Sequence, residues 1–245
     1  MVSHKKTPLP KVRWRFPQTL VPGKLIRRYK RFLADVELKS GQVVTVHCPN
    51  SGSMLGCVED HAPVYLSPQD KPGRRTRHTW EMIRINGGWI GINTMVPNRL
   101  ALEAARLKAL DIFADCQEYR GEVKVSPHSR IDLWARGPSG EIFVEVKNVT
   151  LAAEGLARFP DAKTTRGAKH LEELMKLKRQ GAGAAMLYIV QHHDAQAFAP
   201  ADDIDPDYAK LFHQANKAGV AMRVVQAKVT PQAISLLREL PLAGA

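Results

Sequence analysis

The segment RIDLWARGPSGEIFVEVK, residues 130–147, constrains the fold more tightly than any other stretch. Two apolar-rich runs flank Gly137-Pro138-Ser139-Gly140, which predicts a β-hairpin. A four-residue loop sets Arg136 opposite Glu141, Trp134 opposite Phe143 and Asp132 opposite Glu145. Side chains alternate faces along a strand, so Ile142, Val144 and Val146 point one way, into the core. Phe143, Glu145 and Lys147 point the other way, with Asp132 and Trp134. Directly opposed carboxylates have β-carbons about 5 Å apart, and like charges there destabilise a sheet. A divalent cation relieves that repulsion, and Mg²⁺ is held by one or two carboxylates with waters and phosphate oxygens. Lys147 lies on the same face as Glu145, where an ammonium can position a water for attack on phosphorus. A plainer arrangement also fits: two surface acids neutralised by Lys147 and Arg130. Spacing alone leaves both open.

Charge placement narrows the partner. The chain carries 36 Lys and Arg against 24 Asp and Glu, a net of +12. Residues 1–80 hold fifteen basic against five acidic residues, 15 − 5 = +10, and residues 81–245 hold twenty-one against nineteen, 21 − 19 = +2. Two runs concentrate it, residues 24–31 (KLIRRYKR) and residues 71–78 (KPGRRTRH). A field of this sign attracts polyanions, nucleic acid being the common one, although a basic surface kept for solubility has the same composition. Arg27, Arg28, Tyr29, Lys30, Arg31, Arg74, Arg75 and Arg77 are the candidate contacts, with Phe32 as a stacking aromatic.

The rest of the chain places these features. Four prolines in the first twenty-two residues predict an extended basic arm over 1–20. Strand patterns at 24–38 and 42–48, joined at Ser40-Gly41, and at 62–67, 79–85 and 89–94 predict a small twisted β unit over about 21–86. A five-stranded barrel of the oligonucleotide-binding (OB) type is the natural candidate. Residues 87–245 alternate helices and strands, predicting an α/β domain whose mixed sheet is partly parallel. Its helices are a first from an Asn98 cap to about Phe113, a second over 165–180 behind Thr164 or Thr165, a third over DYAKLFHQANKAG and a last over PQAISLLREL. Glu103 falls on the first helix's stripe of Leu100, Leu107 and Leu110, so it faces the core and needs a partner. Arg166 and His170 are four apart on the second helix and share a face that can contact phosphate, or simply solvent. His192 and His193 follow a buried strand, point to opposite faces and are expected to be structural. Cys48, Cys57 and Cys116 form no metal motif, and their odd number argues against a disulfide framework. With no apolar run of membrane length and no signal-peptide pattern, a cytoplasmic setting is expected.

Several segments together resemble the sugar fermentation stimulation protein family of bacteria and archaea: HCPNSGSMLGC (47–57), NTMVPNRL (93–100), SRIDLWA (129–135), EVKNVTLA (145–152) and FPDAKTTRGAKHLEELM (159–175). The resemblance runs from about Leu25 to the C-terminus. It implies an N-terminal OB-type barrel followed by a PD-(D/E)xK nuclease-like domain, in a DNA-binding protein linked to regulation of maltose metabolism. It also implies Mg²⁺ or Mn²⁺ on Asp132, Glu145 and the Val146 carbonyl, with Lys147 activating water and Glu103 completing the site. Arg166 and His170 fall in the family's R-G-x-K-H segment, on the helix that lines the cleft. Ile131 stands where the superfamily's eponymous proline would precede the acid. DNA is the implied partner, with RNA and single strands as alternatives, and a DNA-binding regulator that keeps the nuclease fold as a scaffold is the rival function.

Overall fold

The computed structural model describes residues 9, 11–70, 72–126 and 129–244. Residues 1–8 and 10 of the expected arm, and Lys71 of the second basic run, lie outside the described residues. The first strand, β1 (Arg13–Arg15), is followed by β2 (Val21–Tyr29), β3 (Leu33–Leu38), β4 (Val43–His47), β5 (Pro63–Pro68), β6 (His78–Ile85) and β7 (Gly88–Gly91). The stretch 24–38, expected as one strand, folds back on itself. Lys30 and Arg31 have φ of 49° and 62°, the left-handed pair of a tight turn matched to strand twist. The sheet runs β4-β3-β2-β5-β6-β7, and a parallel pairing of His47 with Thr79 closes β2 to β6 into a five-stranded OB barrel. Leu25, Val36, Val46, Leu66, Trp80 and Ile83 fill it. Its sheet continues to Gly91, past residue 86, because Gly88–Gly91 pairs antiparallel with β6.

The remaining elements are α1 (Val96–Arg106), a 3₁₀ turn (Asp111–Phe113), β8 (Glu118–Ser126), β9 (Ser129–Gly137), β10 (Gly140–Val149), β11 (Leu151–Ala153), β12 (Leu156–Phe159), α2 (Thr165–Arg179), β13 (Gly183–Val190), β14 (Ala197–Pro200), α3 (Pro206–Lys217), β15 (Ala221–Val229) and β16 (Ala233–Glu239). A mixed sheet, β1-β16-β15-β13-β10-β9-β8, forms the second domain, with β10, β13 and β15 parallel to their neighbours in that group. A small sheet, β11-β12-β14, lies outside the strands expected from the sequence pattern.

The expected last helix is instead β16. Ile234 and Leu236 are buried while Leu237 is 51% exposed, which is a period of two and not of 3.6. Thr230 makes the reversal, its hydroxyl accepting from the Ala233 N–H and donating to the Ala233 carbonyl. Nor is Arg13–Arg15 of the expected arm free: β1 pairs antiparallel with β16, and Trp14 lies under the Arg99 guanidinium, 4.9 Å from ring centroid to carbon. Both faces of β10 are covered. Val144 and Val146 pack with Leu100 and Ala104 of α1, and Phe143 packs with Leu171 and Leu174 of α2. Paired β9 and β10 thus sit between two helical layers, as a central strand must.

The domains meet through close backbone contacts. The Gly91 N–H donates to the Gln191 carbonyl at 3.1 Å, and a Cβ at Gly88 would overlap the His193 ring. His192 and His193 do not point apart as expected. They lie beyond the end of β13 with rings stacked at 5.0 Å, because the chain there is no longer extended. On the other side the loop after β4 docks through Met54 N–H, which donates to Asp161 Oδ2 at 2.8 Å. Cys48, Cys57 and Cys116 are buried free thiols, and no helix of the described residues is long and apolar enough to cross a membrane.

Candidate active site

The site forms where the β9–β10 ladder stops. Trp134 faces Phe143 and Arg136 faces Glu141, the register expected from the four-residue loop, but the expected ladder pair of Asp132 with Glu145 does not form and Leu133–Val144 is the last pair. Beyond it, the Val146 N–H donates to Asp132 Oδ2 at 2.9 Å. Asp132 Oδ1 accepts from Asn98 Nδ2 at 2.8 Å, so α1 clamps the same carboxylate from the other side. Burial raises the Asp132 pKa, and the nearby charge of Glu145 adds to the rise.

Glu145 is 2% exposed. Its Oε1 receives Lys147 Nζ at 2.6 Å and also His170 Nδ1. Lys147 Nζ lies 3.1 Å from His170 Nδ1, closing a three-residue cluster. Burial by itself would raise the Glu145 pKa, but the His170 hydrogen bond and the Lys147 charge outweigh it and the net shift is downward. Glu145 Oε2 is buried with no hydrogen-bond partner. An orphaned carboxylate oxygen beside a second carboxylate fits a cation. Among the described residues no group of three or more His, Cys, Asp or Glu gathers around a common point. Two carboxylates with the Val146 carbonyl, which lies between Glu145 and Lys147 in sequence, suit a hard ion that keeps waters and phosphate oxygens, not a closed structural zinc site.

Local chemistry explains how α2 brings His170 here. Thr164 caps the helix by accepting the Gly167 N–H at 3.0 Å. Asp205 takes the Thr164 N–H at 2.8 Å on one oxygen and the Tyr208 N–H at 3.1 Å on the other, tying the starts of α2 and α3 together. Gly167 permits this closeness, since a Cβ there would lie 2.7 Å from Thr164 Cγ2. Arg166 lies one turn before His170, exposed, in a cavity of about 870 Å³ between α2 and the β8–β9 hairpin.

Glu103 is not brought to Asp132. Its side chain is 41% exposed and its carboxylate lies 3.9 Å from Arg106. The apolar stripe of α1 is Val96, Leu100, Ala101, Ala104 and Ala105, with Leu107 exposed, so Glu103 sits beside the stripe. Asn98, expected as the cap of this helix, lies inside α1 behind the Met95 cap and is a site residue that the sequence did not announce as one. Pro97 carried the signal for its position, because proline favours the first helical positions and so places Asn98 inside the first turn.

The barrel's basic residues divide by environment. Arg28 is committed internally: Nη1 donates to the Ser53 carbonyl at 3.2 Å, and Nη2 to the carbonyls of Asn50 at 3.0 Å and Gly52 at 2.9 Å. Arg27 pairs with Asp35 at 2.9 Å and lies over the Tyr29 ring, whose hydroxyl donates to the same carboxylate. Lys30, Arg31, Arg74, Arg75 and Arg77 are exposed. Phe32, 47% exposed, stacks on His47 beside them. Burial and the Arg74 charge lower the His47 pKa.

An OB barrel joined to a mixed α/β domain, with an Asp…Glu-x-Lys cluster where two strands part, defines the class of protein. The chain belongs to the sugar fermentation stimulation protein family: residues 95–233 match the sugar fermentation stimulation protein RE domain and residues 26–92 the SfsA N-terminal OB domain. A sugar fermentation stimulation protein homolog of Geobacter sulfurreducens is 50% identical over 229 residues, covering 93% of this chain and 98% of that one. A homolog from a Synechococcus strain is 46% identical, covering 91% and 93%. The structure of Pyrococcus furiosus SfsA in complex with Ca²⁺ superposes with a TM-score of 0.86 at 27% identity, over 95% of this chain and 99% of that one.

Proposed function

We propose that the chain is a cytoplasmic DNA-binding protein whose second domain carries a Mg²⁺- or Mn²⁺-dependent phosphodiesterase centre. The observation that carries this reading is the partnerless buried oxygen of Glu145 beside Asp132, with Lys147 Nζ 2.6 Å from the other Glu145 oxygen. The Ca²⁺ bound by the Pyrococcus furiosus relative supports a divalent site in a related chain. Asp132, Glu145 and the Val146 carbonyl would hold the ion, which supplies neutralisation of phosphate charge and Lewis acidity toward the attacking water. Lys147 donates to that water and fixes its line of approach, while Asn98 and the Val146 N–H hold the Asp132 carboxylate in one orientation. As the water oxygen bonds to phosphorus it gives up a proton to solvent, the bond from phosphorus to one ester oxygen breaks, and that oxygen takes up a proton from solvent, giving a phosphomonoester and a hydroxyl. The exposed barrel residues Lys30, Arg31, Arg74, Arg75 and Arg77 supply sequence-independent phosphate contacts.

The test is full-length protein with Mg²⁺ or Mn²⁺ and single- and double-stranded DNA and RNA. Cleavage is expected, falling about 10²-fold or more in Lys147→Ala. Calorimetry should register metal binding that Asp132→Ala and Glu145→Ala abolish. If no substrate is cut and Lys147→Ala changes nothing, the phosphodiesterase reading fails. The rival reading then stands, a DNA-binding regulator of sugar use. One observation favours it: Lys147 and His170 already hold Glu145 Oε1, and each other, without a ligand.

A further inference from the structure

Residues 81–245 sum to only +2, twenty-one basic against nineteen acidic, so the composition of the second domain advertises no polyanion site. The fold sorts those charges. The cavity of about 870 Å³ between α2 and the β8–β9 hairpin gathers Lys124, Arg130, Arg166, Lys169, Lys176 and Arg179 against Glu172 and Glu173. All six basic residues are exposed. Lys124 and Arg130 are directly opposed across β8 and β9, a like-charge pairing that costs sheet stability. Among the described residues only Lys176 of the six has an ion pair, a loose 3.9 Å contact with Glu173. His170 lines the same cavity and touches Lys147 and Glu145, so the groove opens onto the candidate active site.

We propose that this groove is a track for the phosphodiester backbone of a nucleic-acid strand, feeding it to Asp132, Glu145 and Lys147. Arg166, Lys169, Lys176 and Arg179 fall on one face of α2, and from first to last the helix rises about 20 Å. That length spans about six phosphates of a duplex strand at 3.4 Å each. Lys124 and Arg130 form the facing wall, so a strand lying between them is gripped from both sides. Binding of phosphates there removes the cost of holding two cations opposite each other. The track rests on the phosphodiesterase reading for its direction only.

The experiment measures binding without cleavage, in EDTA, using full-length protein and fluorescein-labelled 20-nucleotide single-stranded DNA, single-stranded RNA and 20-base-pair duplex across a salt series. Lys124→Ala/Arg130→Ala and Lys176→Ala/Arg179→Ala are compared with Arg74→Ala/Arg75→Ala on the barrel. Each groove variant should weaken binding about tenfold and lower the slope of log K against log salt by about 1.8 for duplex or about 1.4 for single strands. The preferred form of nucleic acid is the one whose affinity falls furthest. Thermal unfolding checks that the exposed substitutions leave the fold intact. Unchanged affinity and slope in both groove variants overturns the track, as does a wild-type protein that binds none of the three probes. Absence of metal-dependent cleavage by the wild type, with the expected fall in slope still seen in the groove variants, would instead strike the phosphodiesterase reading alone.

Discussion

Arg28 and Asn98 show what a side chain's partners add to its chemical type. Arg28 sits in the most basic run of the chain, where charge alone predicts a phosphate contact. Its three carbonyl partners make it the clamp of the 50–53 loop. Arg28→Ala should cost about 1.5–3 kcal/mol, the range for hydrogen bonds to a charged group. Arg28→Lys should recover little, since an ammonium cannot reproduce the planar fork. Urea midpoints would show both effects, and a midpoint unchanged by Arg28→Ala would return the residue to the surface. Asn98→Ala should cost about 1 kcal/mol and weaken divalent-ion binding by calorimetry, because Asp132 loses one of its two fixed donors. The register of Trp134 with Phe143 was legible in the sequence, since a strand's period and a short loop leave little freedom, but the end of the ladder before Asp132 and Glu145 was not, because it depends on the clamp that Asn98 and the Val146 N–H place on Asp132. His170's approach to Glu145 was not, because it depends on how α2 crosses the sheet. Nor was Glu103's outward position, because the stripe that seemed to enclose it included Leu107, which is exposed.

Among the elements, most boundaries followed from hydrophobic period and turn residues, and the failures share a cause. Residues 231–240 contain Ile234, Leu236, Leu237 and Leu240, a set that serves a helix or a strand. What decides is the open edge of β15 and the Thr230 turn, both tertiary facts. The strand assignment has a sharp consequence. Ile234 and Leu237, three apart, would share a face in a helix, yet they differ completely in exposure in β16. Ile234→Ala should cost about 2–4 kcal/mol while Leu237→Lys should stay within about 0.5 kcal/mol. Equal costs for the two would contradict the strand. The 24–38 stretch departs from its expected single strand for a related reason: left-handed Lys30 and Arg31 make a turn without the glycine or asparagine that usually announces one.

For the whole molecule, the junction between barrel and second domain makes stability depend on pH. Burial first, then the neighbouring His193 charge, push the His192 pKa down to about 4. Its Nδ1 accepts the Asp194 N–H at 3.2 Å, as a neutral ring can. The unfolded ring titrates near 6.5. Between these values the unfolded chain binds a proton that the folded chain refuses, so stability falls as pH drops from about 6.5 toward 4 and is unaffected above. Melting temperatures followed from pH 7.5 to 4.5 should decline more steeply in the wild type than in His192→Asn, and parallel curves would contradict this.

The pairing of β1 with β16 joins the first described strand to the last, with Arg13 beside Ser235. The barrel is therefore an insertion in the sheet of the domain that follows it. During synthesis the ribosome delivers the barrel strands early, as a unit that can close on its own neighbours. The Arg13–Arg15 segment must wait until Ala233–Ser235 has emerged before its partner exists. Completion of the large sheet therefore follows closure of the barrel in vectorial folding, and a nascent chain released before β16 is made would leave that edge open.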